Sequence, residues 1–271
     1  ALVLAGSEIA KTTVHRGDVV VDSALHAPTA RIDATLRVLA SEPRPIGQWF
    51  PVKVHHAAAE VPGRVVVLSD EPVAPGQRDF VQLVLERPIA AAAGDPFVIR
   101  DTSSSRTVGG GRFLDLRAPE RRRRTPERRA LLEALSETDP VRAVARCLAP
   151  DGAWCDLAAF CRDRALRADA AEAIASELGL VTLAHAGSSI AMRRECWETL
   201  RAAVGGALDA CHVERPDLPG VPFESLRRSV KPQFPPALFM AALRRLVEAG
   251  DIALDRTWVR RPGYSVTFSA E

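Results

Sequence analysis

The pattern of apolar and polar residues in the first 117 positions predicts short antiparallel strands. Between residues 31 and 38 every second residue is apolar, so one face of this strand should be dry and the other wet. The dry positions are Ile32, Ala34, Leu36 and Val38, and the wet positions are Arg31, Asp33, Thr35 and Arg37. Shorter apolar runs at 52–55, 64–68, 81–85, 97–100 and 112–116 are separated by turn residues. Six short strands without helical periodicity between them favour a closed antiparallel β-barrel.

Three consecutive glycines, Gly109, Gly110 and Gly111, interrupt the last predicted strand. Glycine weakens a strand because it has no side chain to pack. Three glycines together therefore indicate a bulge, a barrel corner or close approach by another backbone. Strand propensity does not choose among these three interpretations.

From residue 125 onward the pattern becomes helical. Thr125 can cap a helix, Pro126 suits its first position, and leucines at 131, 132 and 135 form an apolar stripe. Further helices are predicted at 141–148, from Asp156, at 170–178, at about 194–212, at 223–230 and at about 239–247. Two strand pairs, at 180–192 and 252–259, follow sets of these helices. Helices followed by a hairpin, twice in succession, indicate tandem winged helices.

The first 22 residues predict two short strand runs around a turn at Gly17. Two strands alone are marginal in water, so we expect this segment to be the end of a preceding β-domain. Residues 6–12 approach the spacing of a phosphate-binding P-loop, but Ala10 stands where that loop needs a glycine before Lys11. We therefore predict no nucleotide site here.

Composition adds a local charge asymmetry to this picture. The chain has 36 basic and 34 acidic residues, yet seven arginines and only two acids lie between Arg117 and Arg129. The run from Arg121 to Arg124 could bind a nucleic-acid backbone, but a solvated, extended linker is the favoured interpretation. The five cysteines form no Cys-x-x-Cys pair, and no stretch of about 18 apolar residues occurs. These features predict no metal site, no disulfide framework, no membrane partner and a cytoplasmic location.

No catalytic constellation is visible, so these residues are not expected to form an enzyme. His55 and His56 are adjacent on a predicted strand and must point to opposite faces, so at most one can serve a site. In the helical half, arginines alternate with acids such as Glu172, Glu177 and Glu224, which favours a spacer role over nucleic-acid reading. A winged-helix DNA-binding regulator, with the barrel as sensor or dimer domain, is the alternative function.

A family resemblance rests on three segments. Residues 97–100 and 106–111, read as FVIR and RTVGGG, resemble the closing hairpin of the third domain of elongation factor Tu and its relatives. Residues 84–90 resemble the strand that precedes this hairpin, and residues 216–227 resemble the C-terminal extension of the selenocysteine-specific elongation factors. The implied fold is an elongation-factor-Tu-like antiparallel β-barrel followed by tandem winged-helix domains. The implied domains are 1–24 (tail of a second domain), 28–117 (barrel), 118–126 (basic linker), 127–193 and 194–271 (winged helices).

The resemblance also implies a function. The family delivers selenocysteinyl-tRNA to the ribosome at UGA codons marked by an mRNA hairpin, with GTP and Mg²⁺ bound by a GTPase domain. We expect this chain to be a monomeric fragment without that domain or the last, mRNA-binding winged helices, and therefore without a cofactor. The residues that match the tRNA-facing surface are Lys53, His55, His56, Arg87, Arg100, Thr102, Ser103 and Arg106.

Overall fold

The computed structural model describes residues 16–150, 153–185, 187–231 and 234–266. Contacts divide the chain into unit 1, Ala1–Ala143 with Cys161–Arg167, and unit 2, Val144–Phe160 with Ala168–Glu271. The first predicted strand run and the P-loop-like segment lie outside the described residues. The second predicted run is wrong, because Val19, Val20 and Val21 are exposed and form no strand. In the described part of the chain no strand pairs with them.

Unit 1 contains the predicted six-stranded antiparallel barrel. Its strands are β1 (Thr29–Val38), β2 (Phe50–His56), β3 (Ala59–Val67), β4 (Arg78–Ile89), β5 (Pro96–Arg100) and β6 (Thr107–Asp115). They close in the order β1-β4-β3-β2-β5-β6, so β1 pairs with both β4 and β6 and no edge is left unpaired. The apolar positions of the strands fill the interior. Examples are Leu36 of β1, Leu83 of β4 and Ile99 of β5, and each is fully buried. Burial of each such side chain contributes about 1.5–3 kcal/mol relative to exposure.

The three glycines mark the place where β6 approaches its neighbours most closely. A Cβ on Gly110 would lie 2.7 Å from the carbonyl oxygen of Phe97, and one on Gly111 would overlap the carbonyl oxygen of Thr35. The register also shifts between Ile99 and Arg100 in the β5–β6 pair, next to Gly109. Close backbone approach with a local bulge is therefore the correct interpretation of the triplet.

Helix α1 (Pro126–Leu135) lies in unit 1 and packs on the outside of the barrel. The side chain of Thr125 accepts a hydrogen bond from the N–H of Arg128 at 3.2 Å, and Pro126 opens the helix, as predicted. Leu132 is buried against Leu68 and Leu114 of the barrel wall. This helix therefore covers part of the outer surface of the sheet.

The covered surface corrects the prediction of a wet face on β1. Asp33 is 0% exposed and Thr35 is buried, although both point away from the barrel interior. Arg128 donates hydrogen bonds to Asp33 and, at 2.6 Å, to Asp115. Alternation in sequence predicted the orientation of these residues correctly, but it carries no information about a helix that packs over them.

A buried polar network results from this packing. The amide of Gln82 donates to Asp33 at 2.8 Å and to the carbonyl of Pro119 at 3.0 Å. Burial raises the pKa of Asp33, although Arg128 and Gln82 act to lower it. Burial lowers the pKa of Arg128, because it disfavours the charged form. The attraction of Asp115 and Asp33 outweighs burial, so the pKa of Arg128 is raised.

The arginine run is partly attached to the barrel. Arg123 donates to the side-chain oxygen of Gln82 at 3.1 Å, and its guanidinium lies 5.3 Å from the ring centre of Trp49. Arg124 donates to the carbonyl of Val67 at 3.2 Å, whereas Arg121 and Arg122 are exposed. Two of the four arginines in the run are therefore held by direct contacts with the barrel rather than extended by self-repulsion.

The helical half repeats one order of elements twice. The first set is α2 (Pro140–Cys147), β7 (Trp154–Asp156), α3 (Leu157–Asp163), α4 (Ala170–Glu177), β8 (Val181–His185) and β9 (Ser188–Met192). The second is α5 (Arg194–Glu214), β10 (Val221–Pro222), α6 (Phe223–Ser229), α7 (Pro236–Glu248), β11 (Ala253–Asp255) and β12 (Trp258–Arg260). Each set forms a three-stranded sheet, with orders β7-β9-β8 and β10-β12-β11. The tandem winged helices are confirmed, with a third strand in each wing.

Unit 2 has its own core. Trp197, Leu200 and Leu208 of α5 pack with Phe239 and Leu243 of α7, together with buried residues of β8 and β9. The sequence-based domain boundaries at 127 and 194 remain predictions. No helix of the described residues is long and apolar enough to cross a membrane.

Candidate nucleic-acid interface

The outer surface of β2, β3, β4 and β5 carries half of the predicted tRNA contacts, namely Lys53, His55, Arg87 and Arg100. Lys53 and His55 lie two residues apart on β2 and share its outward face. Lys53 is opposite Arg100 of β5, and His55 is opposite both Val98 of β5 and Glu60 of β3. We call this surface, formed by Lys53, His55, Arg87, Arg100 and Glu60, the Glu60 face.

Glu60 lies at the centre of this surface. Its carboxylate is 2.8 Å from the Lys53 ammonium and 3.9 Å from Nε2 of His55. Its backbone carbonyl accepts a hydrogen bond from Arg87 at 3.3 Å. The hydrogen bond from Lys53, with the charges of Lys53, His55 and Arg100, lowers the pKa of Glu60. The carboxylate is therefore ionised at neutral pH and neutralises part of the surrounding positive charge.

Arg100 is half-buried at the end of β5. Its Nε is buried and has no hydrogen-bond partner among the described residues. Lys53 lies directly opposite on the neighbouring strand, and like charges in this position repel. With one carboxylate shared between Lys53, His55 and Arg100, the Glu60 face keeps an excess of positive charge.

The loop after β5 carries three further predicted contacts but is organised by Asp101. The Asp101 carboxylate accepts hydrogen bonds from the hydroxyls of Ser103 and Ser105 at 2.9 and 2.7 Å. It also accepts from the backbone N–H groups of Ser105 and Arg106. These bonds, led by the Ser105 hydroxyl, hold the pKa of Asp101 well below its usual value. Thr102 and Ser103 are therefore presented on a preformed, exposed turn.

Arg106 leaves this turn in a different direction. It donates to the carboxylate of Glu42 at 3.0 Å, and the Glu42 side chain is only 3% exposed. Burial of a carboxylate is costly unless it is paired, and the contact with Arg106 offsets this cost. Arg106 therefore stabilises the loop that contains Glu42, besides being partly available at the surface.

His56 is not on the exposed surface. Its side chain is 9% exposed, its Nε2 lies 2.9 Å from the Asp95 carboxylate, and its ring packs at 5.2 Å from that of Phe113. The prediction that His55 and His56 point to opposite faces is confirmed by this burial. His56 therefore packs at the barrel interior, and its side chain is not placed to contact a ligand at the surface.

Two acids that organise the site were missed by the sequence reasoning. Glu60 and Glu42 each pair with a predicted basic residue. The sequence carried no signal for Glu60, because the two-residue turn at Ala57 and Ala58 that places His55 opposite Glu60 lacks the residues typical of such turns. Nor does a local signal connect Glu42 with Arg106, which are 64 residues apart.

The arginines of the winged helices are mostly engaged within the protein. Arg227 pairs with Glu224 at 2.9 Å, Arg245 donates to the carbonyl of Thr182, and Arg164 donates to two carbonyls at 2.7 and 3.2 Å. Arg261 pairs with Asp209 at 2.7 Å. These contacts support a structural use of the charges, and the spacer role of the winged helices stays a prediction.

Comparison with protein families identifies both halves of the chain. Residues 33–120 match the model "Selenocysteine-specific elongation factor, beta-barrel domain", and residues 206–260 match "Elongation factor SelB, winged helix". Together the two matches cover about half of the chain.

Individual relatives agree with these models. The selenocysteine-specific elongation factor of Escherichia coli K12 is 28% identical over the whole chain, which spans 41% of that relative. The homonymous protein of Desulfomicrobium baculatum is 23% identical over the whole chain, which spans 43% of it. A solved structure of the bacterial selenocysteine-specific elongation factor EF-Sec matches 94% of the chain and 38% of its own length, with a TM-score of 0.58 and 14% identity.

The closed barrel followed by winged helices is therefore the architecture of an elongation factor. Within that class, the chain belongs to the selenocysteine-specific elongation factor family. It spans about two fifths of the length of the curated relatives that align with all of it.

Proposed function

We propose that this chain supplies the tRNA-facing barrel, and the arm towards the mRNA-binding end, of a factor that delivers selenocysteinyl-tRNA to the ribosome. In the whole protein, delivery occurs at UGA codons marked by an mRNA hairpin and depends on GTP and Mg²⁺ bound by a GTPase domain. The observation that carries the proposal is the Glu60 face, a partly exposed basic surface within the matched barrel domain. The 271 residues themselves are proposed to bind RNA and not to hydrolyse GTP.

The chemistry of the Glu60 face suits double-stranded RNA. Lysine, arginine and histidine can contact phosphates, and the hydroxyls of Thr102 and Ser103 can bond ribose or phosphate oxygens. A-form RNA is recognised mainly through its shape, backbone and 2′-hydroxyls, so base-reading pockets are not required. The Asp101 turn adds preorganised hydroxyls at the end of the same strand, which reduces the entropy lost on binding.

Glu60 provides a sensitive test, because removal of its charge should strengthen binding. Glu60→Gln frees Lys53 and His55 from a competing carboxylate. An exposed ion pair is worth about 0.2–1 kcal/mol, so we expect about 1.4- to 5-fold tighter binding of selenocysteine tRNA. Fluorescence anisotropy at about 50 mM salt measures this change.

The matched control is Glu71→Gln, which removes one negative charge from an exposed turn of the same unit, away from the Glu60 face. It should leave affinity within about 1.3-fold of the parent protein, since distant exposed charges are screened. Equal gains in both variants would mean that only net charge matters. A loss of affinity in Glu60→Gln would exclude phosphate contact by Lys53 and His55.

The DNA-binding regulator considered from the sequence gains no support. Each relative described above is an elongation factor, and Glu172 and Glu177 remain on α4 of the first winged helix. Carboxylates on a recognition helix repel the phosphates that such a helix must approach.

A further inference from the structure

A basic groove lies on a different part of the barrel wall, formed by β1, β4 and β6. It has a volume of about 560 Å³ and is lined by Thr35, Arg37, Arg78, Gly110, Gly111 and Arg112, with three further residues. The glycines form its floor, where strands approach too closely for side chains. The floor is therefore bare backbone that a ligand can approach directly.

The walls of this groove carry only positive charge. Among the described residues that line it, three are arginines and none is acidic. Arg37 of β1 lies directly opposite Arg78 of β4, and both side chains are exposed. Like charges in directly opposed positions destabilise a sheet. Within the described ranges, no hydrogen bond or ion pair involves either of these two side chains.

Arg112 completes the groove from β6. Its guanidinium donates to the carbonyl of Gly94 at 2.6 Å, and its backbone N–H donates to the hydroxyl of Thr35 at 3.2 Å. Thr35 precedes Arg37 by two residues, so both side chains lie on the outward face of β1.

Three other cations of unit 1 have an anionic partner inside the protein. Lys53, Arg106 and Arg128 each contact a carboxylate of the same unit. The Arg37–Arg78 pair has no such compensation and costs stability in the free protein. An external anion would remove this repulsion, so the pair is a favourable contact point for an anionic ligand.

We propose that the Arg37–Arg78–Arg112 groove binds the phosphate backbone of RNA, at a site separate from the Glu60 face. Arginine forms bidentate hydrogen bonds with phosphate, and the glycine floor admits a backbone without a side-chain clash. The described lining residues include no aromatic side chain, so bases are not stacked and the contact is independent of sequence. The proposal extends the proposed function but does not require a preference for selenocysteine tRNA.

The test compares two double variants that remove the same charge. The groove variant combines Arg37→Gln with Arg78→Gln and removes the opposed pair. The control variant combines Arg44→Gln with Arg142→Gln and removes two exposed arginines that do not line the groove. Binding of a 12-base-pair RNA duplex is measured by fluorescence anisotropy between about 50 and 200 mM salt. The groove variant should bind at least about 10-fold more weakly at 50 mM and lose about 1.4–1.8 from the slope of log K against log salt. The control variant should change affinity less than about 2-fold.

Thermal unfolding keeps this test interpretable. The groove variant should melt at the same temperature as the parent protein or higher, because a repulsive pair has been removed. Equal weakening by both double variants would overturn the groove as a site. Equally tight binding of polyglutamate of matched charge would overturn RNA in favour of an acidic protein partner. Displacement of the RNA by about 10 mM inorganic phosphate, with no displacement by other salts at equal ionic strength, would indicate a small-anion site instead.

The outcome separates the two proposed surfaces. If the groove variant weakens all RNAs equally while any preference for selenocysteine tRNA persists, both proposals stand. If the groove variant binds normally and Glu60→Gln still binds more tightly, the groove proposal fails and the proposed function survives.

Discussion

Replacement of Arg128 by alanine should destabilise unit 1 by about 3–5 kcal/mol, because it breaks a buried ion network by removing the cation that contacts both of its carboxylates. The Arg128 side chain is 9% exposed and contacts both Asp33 and Asp115, and Asp33 is fully buried. Alanine would leave two carboxylates in place without a counter-charge. It would also remove the contact that fastens α1 to β1. Native-state hydrogen exchange at the amides of β1 and β6 measures the loss.

The neighbouring arginine is a matched control. Arg129 is also on α1, but its side chain is 51% exposed and contacts Asp79 and Glu133 at 3.3 and 3.5 Å. Arg129→Ala should therefore cost only about 0–1 kcal/mol. Similar losses in the two variants would contradict the network as described.

The pH dependence of the Arg128→Ala deficit follows from Asp33. Burial raises the pKa of this carboxyl, and loss of Arg128 raises it further. A carboxyl with a raised pKa in the folded state favours folding when it is protonated, and this contribution is lost as the pH rises. The deficit should thus grow from about pH 4 to pH 7. Adding Asp33→Asn to Arg128→Ala should recover part of the stability at pH 7.

Gly111→Ala should prevent normal closure of the barrel. An added Cβ would overlap the carbonyl oxygen of Thr35, which is backbone in the middle of β1 and cannot rotate away. Overpacking of a well-packed site costs about 1–3 kcal/mol, and relief here also requires separating the β1–β6 ladder, so we expect at least about 3 kcal/mol. Urea unfolding of the variant, with far-UV circular dichroism as readout, measures the effect.

Gly47→Ala serves as the control for this substitution. No atom lies within 4 Å of the added Cβ, and the backbone of Gly47 is not in the left-handed region. Stability should therefore be unchanged or higher by up to about 1 kcal/mol, through a lower entropy of the unfolded chain. A Gly111→Ala protein as stable as Gly47→Ala would show that β6 does not approach β1 as closely as described.

The barrel could be predicted because its strands obey a rule of period two. The alternation in β1 placed Ile32, Leu36 and Val38 in the interior, and these positions are fully buried. The same rule predicted that Asp33 is solvated. The pattern of one strand contains no information about α1, which follows about 90 residues later and contacts Asp33. Burial of the outward face is a tertiary effect without a local signal.

The wings show a second limit. Strands β7 and β10 have only three and two residues, which is too short for a periodic signal, so each wing was predicted with two strands instead of three. Their pairing with β9 and β12 is non-local. The repeated order of helices and hairpins was nevertheless sufficient to predict the winged helices.

For the candidate site, the sequence supplied residue types but not their electrostatic partners. Lys53, His55 and Arg100 were predicted as contacts, and the structure places them on one surface. That Glu60 neutralises part of this surface follows only from strand register. The groove around Arg37 and Arg78 was not predicted, because their opposition depends on the pairing of two strands that are distant in sequence.

The measurement that tests the central claim most directly is a titration of the protein against three RNAs. They are selenocysteine tRNA, an ordinary elongator tRNA and the selenoprotein mRNA hairpin, each at about 50 and 200 mM salt. We expect tighter binding of selenocysteine tRNA that persists at 200 mM, since contacts of the Glu60 face and the Asp101 turn depend on RNA shape as well as charge. Equal, weak binding of all three RNAs that disappears at 200 mM would reduce the interaction to counterion release and contradict the barrel as a tRNA-recognition surface.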